Sequence, residues 1–262
     1  NLLQTNEAIS KFVPTEFLNQ LSKTSVMDIK LGDQVQREMA ILFSDIREFT
    51  NLSESMSPSE NFNFINSYLK RMNPHIQNNN GFIDKYIGDA IMALFPQSPE
   101  DALKAAIGMC REVYIYNEER VTKGYKPIQV GFGVHSGTLM LGIIGADNRI
   151  DGTVISDSVN LAARLEGLTK EYGVSVIVSE SIINRIESGG IYRYRLLDRV
   201  QVKGKVRKVI VYHIYDYLPE KEIQILDSIK PEFENAVQHY HKENYSEALE
   251  SFEKVLSVLK ND

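Results

Sequence analysis

Two aspartates stand where stretches of apolar residues end, and each lies beside a predicted loop. Asp45 is in the run "MAILFSDI", and Asp89 follows Gly88 between the runs "FIDKYI" and "AIMALF". Carboxylates at two strand ends can converge on divalent cations, because Mg²⁺ prefers hard oxygen ligands and commonly takes one or two carboxylates. Aspartates at turns are more often simple turn formers, so the residues alone leave both interpretations open.

A second group of polar residues lies in the later half of the chain. Asn160 and Arg164, in "SVNLAARLE", are four residues apart on a predicted helix and therefore share one face. Such a pair can present an amide and a fixed cation to a phosphate group, or it can be a solvated helix edge. Lys205, in "VKGK", stands between two predicted strands, where an ordinary basic turn is the usual interpretation.

The elements that must position these residues follow from apolar patterns and helix caps. Strands are predicted in "MAILFSDI", "IQVGFGVHSG", "TLMLGIIG" and "VSVIV", in a hairpin over 82–95, and in the pair "YRYRLLDRVQVKG" and "KVIVYHIYDYL". Helices are predicted over 57–80, 99–120 and 156–173 and in "SESIINRI"; Ser57 and Glu60 form a capping box for the first. The interleaved order and the hairpins favour an α+β fold with helices packed on one face of the sheet.

The two ends of the chain differ from this central part. Residues 1–36 are predicted to be helical connectors, including "PTEFLNQL", ahead of a central domain over 37–218. Residues 219–262 are helical and charged, and they match one tetratricopeptide repeat at Ala236, Tyr245, Ala248 and Phe252. A generic helical hairpin is the alternative. One repeat cannot bury its own face, so the segment is expected to pack on its neighbour or to offer a surface to a protein partner.

Composition excludes several classes of function. The net charge of −6 and pI near 5.5 give no general attraction to nucleic acid. No run of 18 apolar residues and no signal peptide is visible, and the start at Asn1 indicates a piece of a longer protein. The single cysteine, Cys110, lies on an apolar helix face and is expected to be a buried thiol. We expect a cytoplasmic location, with any membrane tether and any sensory domain in regions upstream of this chain.

Five segments in order resemble the catalytic domains of class III nucleotidyl cyclases, of the bacterial adenylate cyclase type. They are "LFSDIREFT", "KYIGDAIMALF", "VHSG", "SVNLAARLE" and "VKGK", and the resemblance covers about 37–218. It implies a ferredoxin-like, antiparallel-rich sheet with helices on one face. It also implies an adenylate cyclase that converts ATP to 3',5'-cyclic AMP and pyrophosphate in signal transduction, at sites shared across a homodimer.

The resemblance also assigns catalytic roles. It implies that Asp45 and Asp89, with the backbone carbonyl of Ile46, bind two Mg²⁺ or Mn²⁺ ions. These ions would lower the pKa of the ribose 3'-hydroxyl and neutralise the phosphates. Asn160 would position the ribose, and Arg164 would stabilise charge on the α-phosphate as the transition state forms.

Substrate recognition is assigned in the same way. Lys205 would hold the terminal phosphates. Lys85 stands where adenylate cyclases have Lys and guanylate cyclases have Glu, and Thr153 stands where many bacterial adenylate cyclases have Thr. Together they would read the adenine edge, since a mismatched base leaves buried polar groups unpaired.

Two positions depart from the family pattern. Many members have Gly where this chain has Ser156, and Thr138 stands where two-domain enzymes carry an arginine in one half. Other functional classes are a regulatory module that binds nucleotide without turnover and an interaction scaffold built on the C-terminal segment. Non-catalytic modules usually lose a metal aspartate or the arginine, and this chain keeps Asp45, Asp89 and Arg164.

Overall fold

The computed structural model describes residues 14–146, 149–186, 192–201 and 208–259. The "PTEFLNQL" prediction corresponds to helix α1, Thr15–Gln20, which is followed by a 3₁₀ turn at Val26–Asp28. Phe17 of α1 is buried in one core, together with Met39 and Ile41. The helix predicted at the extreme N-terminus lies outside the described residues.

The central part alternates strands and helices, as the sequence predicts. Its elements in chain order are β1 Gln34–Ile46, α2 Phe49–Glu54, α3 Pro58–Gln77, β2 Phe82–Ile87, β3 Ala90–Phe95, α4 Pro99–Thr122, β4 Val130–Ala146, β5 Arg149–Ile155, α5 Asp157–Glu171, β6 Val176–Ser179, α6 Glu180–Ile183, β7 Tyr194–Gln201 and β8 Lys208–Ile214.

The described strands form one eight-stranded sheet, and the predicted α+β fold is confirmed. The order is β2-β3-β1-β4-β6-β8-β7, with β5 paired to the C-terminal half of β4. Only the β4–β6 pairing is parallel among the pairings of the described residues. The β1–β4 ladder runs the whole length of β1, from Gln34 opposite Gly142 to Ile46 opposite Val130.

Alternate residues of β1 face two different cores. Ala40 and Leu42 pack with α3 and α4, which cover one face. Met39 and Ile41 face the other side, where α1 and α5 pack, so helices lie on both faces of the sheet and not on one face as predicted. Helix α5 lies very close to β4: a Cβ built on Gly133 would be 2.1 Å from the Glu166 backbone nitrogen. The glycine therefore permits this helix to sit on the second face of the sheet.

Two strand predictions differ from the structure. "IQVGFGVHSG" and "TLMLGIIG" belong to one unbroken strand, β4, because Gly137 pairs with Met39 in the middle of the β1 ladder and does not form a turn. The sequence patterns predict no strand over Arg149–Ile155, where the structure has β5. Its pairing with β4, including Thr153 opposite Gly142, supplies the backbone hydrogen bonds that make it a strand.

The C-terminal segment is a helical hairpin, α7 Glu220–His241 and α8 Tyr245–Val258. It packs on β7: the Arg195 guanidinium lies 4.3 Å from the Phe233 ring centroid, and the Leu196 N–H donates to Glu234 Oε1 at 2.8 Å. The tetratricopeptide assignment stays a prediction. None of the helices in the described ranges is long and apolar enough to cross a membrane.

Candidate active site

The structure brings Asp45 and Asp89 together. Strands β1 and β3 pair with Ser44 opposite Ile91, so the end of β1 lies beside the β2–β3 turn. The Ile46 N–H donates to Asp89 Oδ2 at 3.1 Å, which fixes the Asp89 side chain against the end of β1. Gly88 has a φ of +66°, a backbone conformation that glycine adopts without strain, and it makes the tight turn before Asp89.

The two carboxylates influence each other strongly. Burial raises the pKa of Asp45 to about 7, and a hydrogen bond with Asp89 and the charge of Asp89 act in the same direction. This is the behaviour of two carboxylates too close to ionise together without a cation. The described residues contain no group of three or more His, Cys, Asp or Glu side chains able to hold a metal. Two adjacent carboxylates suit a cation such as Mg²⁺, which takes its remaining oxygens from water and phosphates.

Glu166 is a third carboxylate near this pair, and the sequence analysis did not identify it. Asp45 is paired with Gly131 across β1 and β4, and paired residues point to the same face. A Cβ built on Gly131 would lie 2.6 Å from Glu166 Oε1, so the glutamate occupies the space beside Asp45. Burial raises the pKa of Glu166 to about 7, and the charge of Asp45 contributes. The glycine in "VGFGV" is the sequence signal for this close approach.

A β-bulge orients Lys85. Ile83 pairs with Ala93 and Lys85 pairs with Met92, so Asp84 is the extra residue of the bulge. Bulges of this kind redirect side chains. Lys85 Nζ lies 3.4 Å from Asp84 Oδ2, and the Asp84 side chain is only 2% exposed. Burial raises the pKa of Asp84, whereas the Lys85 charge lowers it.

Thr153 lies half-buried on β5, near the same bulge. Asp151, two residues earlier on β5, adds to the rise in the pKa of Asp84, which requires β5 and β2 to be close in space. Lys85 and Thr153 thus come from neighbouring elements, although no hydrogen bond joins their side chains in the described residues.

Asn160 and Arg164 do not join the aspartates within one chain. Both are exposed on α5, and neither side chain has a hydrogen-bond or ion-pair partner among the residues described. Successive residues on a helix are separated by about 100°, so Arg164 and Glu166 point about 200° apart. Since Glu166 faces Asp45, Arg164 points away from it. Lys205 lies outside the described residues.

The two positions that depart from the family pattern touch each other. Ser156 is the N-cap of α5: its Oγ accepts from the Ser158 N–H at 2.9 Å and donates to the Thr138 carbonyl oxygen at 2.6 Å. The serine therefore fixes the start of α5 against β4. Cys110 is buried as predicted, and burial raises the pKa of its thiol.

Comparison with known sequences gives one family. The model for the adenylate and guanylate cyclase catalytic domain matches residues 32–216. An adenylate cyclase from Anabaena cylindrica is 42% identical over 219 residues, 81% of this chain and 44% of that protein. A terminal-differentiation-specific adenylate cyclase from Dictyostelium discoideum is 36% identical over 260 residues, 97% of this chain and 12% of that protein. The chain spans less than half the length of either relative.

Solved structures agree with this. The adenylyl cyclase CyaB from P. aeruginosa is 29% identical with a TM-score of 0.62, over 70% of this chain and 96% of that one. The guanylyl cyclase Cya2 is 28% identical with a TM-score of 0.59, over 71% of this chain and 94% of that one. Because the family model matches well over half of the sequence, the chain belongs to the adenylate and guanylate cyclase catalytic domain family.

Proposed function

We propose that this chain is an adenylate cyclase that converts ATP to 3',5'-cyclic AMP and pyrophosphate. The observation that carries the proposal is the Asp45–Asp89 pair, fixed at the end of β1 with a strongly raised Asp45 pKa. The names of the Anabaena and Dictyostelium relatives support adenine as the base.

Asp45, Asp89 and the Ile46 carbonyl are the residues that would hold two Mg²⁺ or Mn²⁺ ions. Bound ions lower the pKa of the ribose 3'-hydroxyl and neutralise phosphate charge. The carboxylates must be ionised to bind them, so the proton that Asp45 holds at low pH has to leave first. The Ile46 N–H keeps Asp89 oriented, which reduces the reorganisation needed on binding.

Lys85 and Thr153 would select the base. A lysine ammonium donates to N1 of adenine, and a threonine hydroxyl accepts from the N6 amine. Guanine presents a donor at N1 and an acceptor at O6, so Lys85 would meet the wrong edge. The buried Asp84 carboxylate supports this role because it lies 3.4 Å from the Lys85 ammonium and attracts it.

The remaining groups would come from a second copy of the chain. Arg164 points away from Asp45 on the same chain, so a homodimer is needed to place Asn160 and Arg164 opposite an Asp45–Asp89 pair. Asn160 would then bind the ribose, Arg164 would stabilise the charge that develops on the α-phosphate, and Lys205 would bind the terminal phosphates. The dimer would contain two equivalent sites. A cytoplasmic location and a protein partner for 219–262 belong to the same proposal.

An activity assay tests the proposal. The purified chain with ATP and Mn²⁺ or Mg²⁺ should release cyclic AMP and pyrophosphate in equal amounts. Asp45→Ala and Asp89→Ala should abolish turnover while leaving the fold largely intact, since both residues lie at strand ends. Near wild-type activity of the Asp89→Ala variant would contradict the metal assignment, and the absence of cyclic AMP from the wild type would contradict the function.

A further inference from the structure

Arg47 joins the aspartate-bearing strand to the far end of helix α5. It follows Asp45 by two residues, and its own N–H donates to the Gln129 carbonyl at 2.8 Å. Its side chain crosses to α5, where Nη2 donates to the Thr169 carbonyl at 2.8 Å and to the Val174 carbonyl. These partners are 122 and 127 residues away along the chain, so the contact ties two distant parts of the fold.

Arg47 binds two carbonyls at the C-terminal end of α5: Thr169 is in the last turn of the helix, and Val174 follows the glycine that ends it. Gly173, with a φ of +66°, ends the helix, and the Val174 N–H turns back to the Thr169 carbonyl at 3.0 Å. The last carbonyls of a helix lack intrahelical partners and carry partial negative charge, so a guanidinium is favoured there. Arg47 therefore holds this end of α5 by hydrogen bonds and by charge.

We propose that Arg47 is a positioning residue that locks α5, and with it Asn160 and Arg164, to the strand that carries Asp45. The inference rests on the proposed function, in which each site combines the aspartates of one chain with the α5 residues of the other. Arg47 then lies beside one site but positions residues for the second. Its loss should damage the site to which its own chain contributes α5.

The competing interpretation is a direct role of Arg47 at the neighbouring metal site, for example contact with a phosphate. In the described residues, the hydrogen bonds of its side chain go to backbone carbonyls at the end of α5. The two interpretations differ in which chain of a dimer must carry Arg47. A dimer with a single functional site separates them.

The test uses heterodimers of an Asp45→Ala chain and an Arg164→Ala chain, purified through two different affinity tags. The surviving site takes its aspartates from the Arg164→Ala chain and its α5 residues from the Asp45→Ala chain. Arg47→Met is added to one chain or to the other, and kcat and KM for ATP are measured. Methionine keeps an apolar stem and removes the donors.

Arg47→Met on the Asp45→Ala chain should lower kcat by about ten- to a hundredfold, the effect expected when catalytic groups are misplaced by about 1 Å. KM should change much less, because Arg164 acts mainly in the transition state. Arg47→Met on the Arg164→Ala chain should lower kcat by less than a third of that fold-change. The inference is overturned if Arg47→Met lowers kcat only when it is on the Arg164→Ala chain. It is also overturned if Arg47→Met lowers kcat equally on both chains, or on neither.

Two further variants complete the design. Arg111→Met is the matched control, since Arg111 Nη2 also donates to a backbone carbonyl, that of Asp216, at 2.7 Å, and it should leave kcat unchanged on both chains. If Arg47→Met does not fold, Arg47→Lys keeps one donor and should show the same one-sided loss with a smaller size. A parent heterodimer that is inactive after proven subunit exchange overturns the shared-site proposal itself, whereas a loss on the wrong side overturns this inference alone.

Discussion

The backbone N–H of Ile46 donates to Asp89 Oδ2 at 3.1 Å, and this one hydrogen bond joins the end of β1 to the turn of the β2–β3 hairpin. It places the Asp89 carboxylate against Asp45, whose pKa rises to about 7 through burial, a hydrogen bond with Asp89 and the charge of Asp89. The hairpin thus carries a carboxylate at its turn, while Lys85 on its first strand is redirected by a bulge.

The metal-free protein should lose stability as pH rises from about 4 to about 7. Asp45 has a folded pKa of about 7, above its usual 3.8, so the folded state binds more protons in this window and loses that advantage as pH rises. Mg²⁺ takes the place of the proton when it binds. The rise in Tm caused by about 10 mM Mg²⁺, which roughly saturates a weak site, should therefore be larger at pH 8 than at pH 5.

Asp45→Asn isolates this contribution from the other buried carboxylates, Asp84 and Glu166, whose pKa values are also raised. Thermal unfolding without metal should show a shallower loss of Tm between pH 4 and pH 7 for Asp45→Asn than for the wild type. The Mg²⁺-induced rise in Tm at pH 8 should also shrink. An unchanged pH dependence in the variant would mean that Asp45 is not the titrating group.

Asp84→Asn should weaken the use of ATP without unfolding the protein. The neutral amide removes the charge partner of Lys85 but suits a buried position, where Asp84 already has a raised pKa. We expect kcat/KM for ATP to fall about tenfold, equivalent to about 1.4 kcal/mol. Glu250→Gln, which breaks an exposed carboxylate–lysine pair with Lys254 at 2.9 Å, is the matched control. Equal kinetics for Asp84→Asn and the control would show that Asp84 does not orient Lys85.

Ser156→Ala should destabilise the protein by about 1 kcal/mol, because it removes the N-cap of α5 and the bond to the Thr138 carbonyl. Activity should also fall, since Asn160 lies one turn after the cap. Ser156→Gly should cost only a few tenths of a kcal/mol. Ser257→Ala removes a serine hydroxyl that bonds a carbonyl on α8 and serves as the control in urea unfolding. A Ser156→Ala protein as stable as this control would argue against the cap.

Replacing Lys85 with Glu and Thr153 with Cys should reverse the hydrogen-bond pattern offered to the purine. A lost or reversed pair costs about 1–3 kcal/mol per unsatisfied buried group. Two positions together should shift the preference for ATP over GTP by roughly two to four orders of magnitude, at about 1.4 kcal/mol per tenfold. Side-by-side kcat/KM values for both nucleotides measure this. A double mutant that keeps the wild-type preference for ATP would show that Lys85 and Thr153 do not select the base.

Local patterns were sufficient to predict much of this structure. The capping box at Ser57 and Glu60 and the apolar spacing that follows it place α3, and Gly173 marks the end of α5. The hairpin over 82–95 is visible because glycine and aspartate interrupt two apolar runs. These signals lie within a few residues of the structure they specify.

Contacts between distant residues were not predictable in the same way. The bulge at Asp84 depends on the register with β3, and β5 depends on the length of β4 beside it. Arg47 reaches partners more than a hundred residues away, and nothing near it in the sequence specifies them. The opposite directions of Arg164 and Glu166 follow from helical periodicity, but which face meets the sheet is set by Gly131 and Gly133 on β4.

Mixing two inactive variants tests whether each site combines residues from two chains. Asp45→Ala and Arg164→Ala homodimers should each form no cyclic AMP from ATP, because every site in them lacks one essential group. After subunit exchange, half of the chains pair as heterodimers in a random mixture of equal amounts, and each heterodimer contains one intact site. The exchanged mixture should regain about a quarter of wild-type activity per dimer, since half the dimers have one of two sites. A mixture that makes no cyclic AMP, although exchange is demonstrated by the tags, would contradict a site built from Asp45 and Asp89 of one chain and Arg164 of the other.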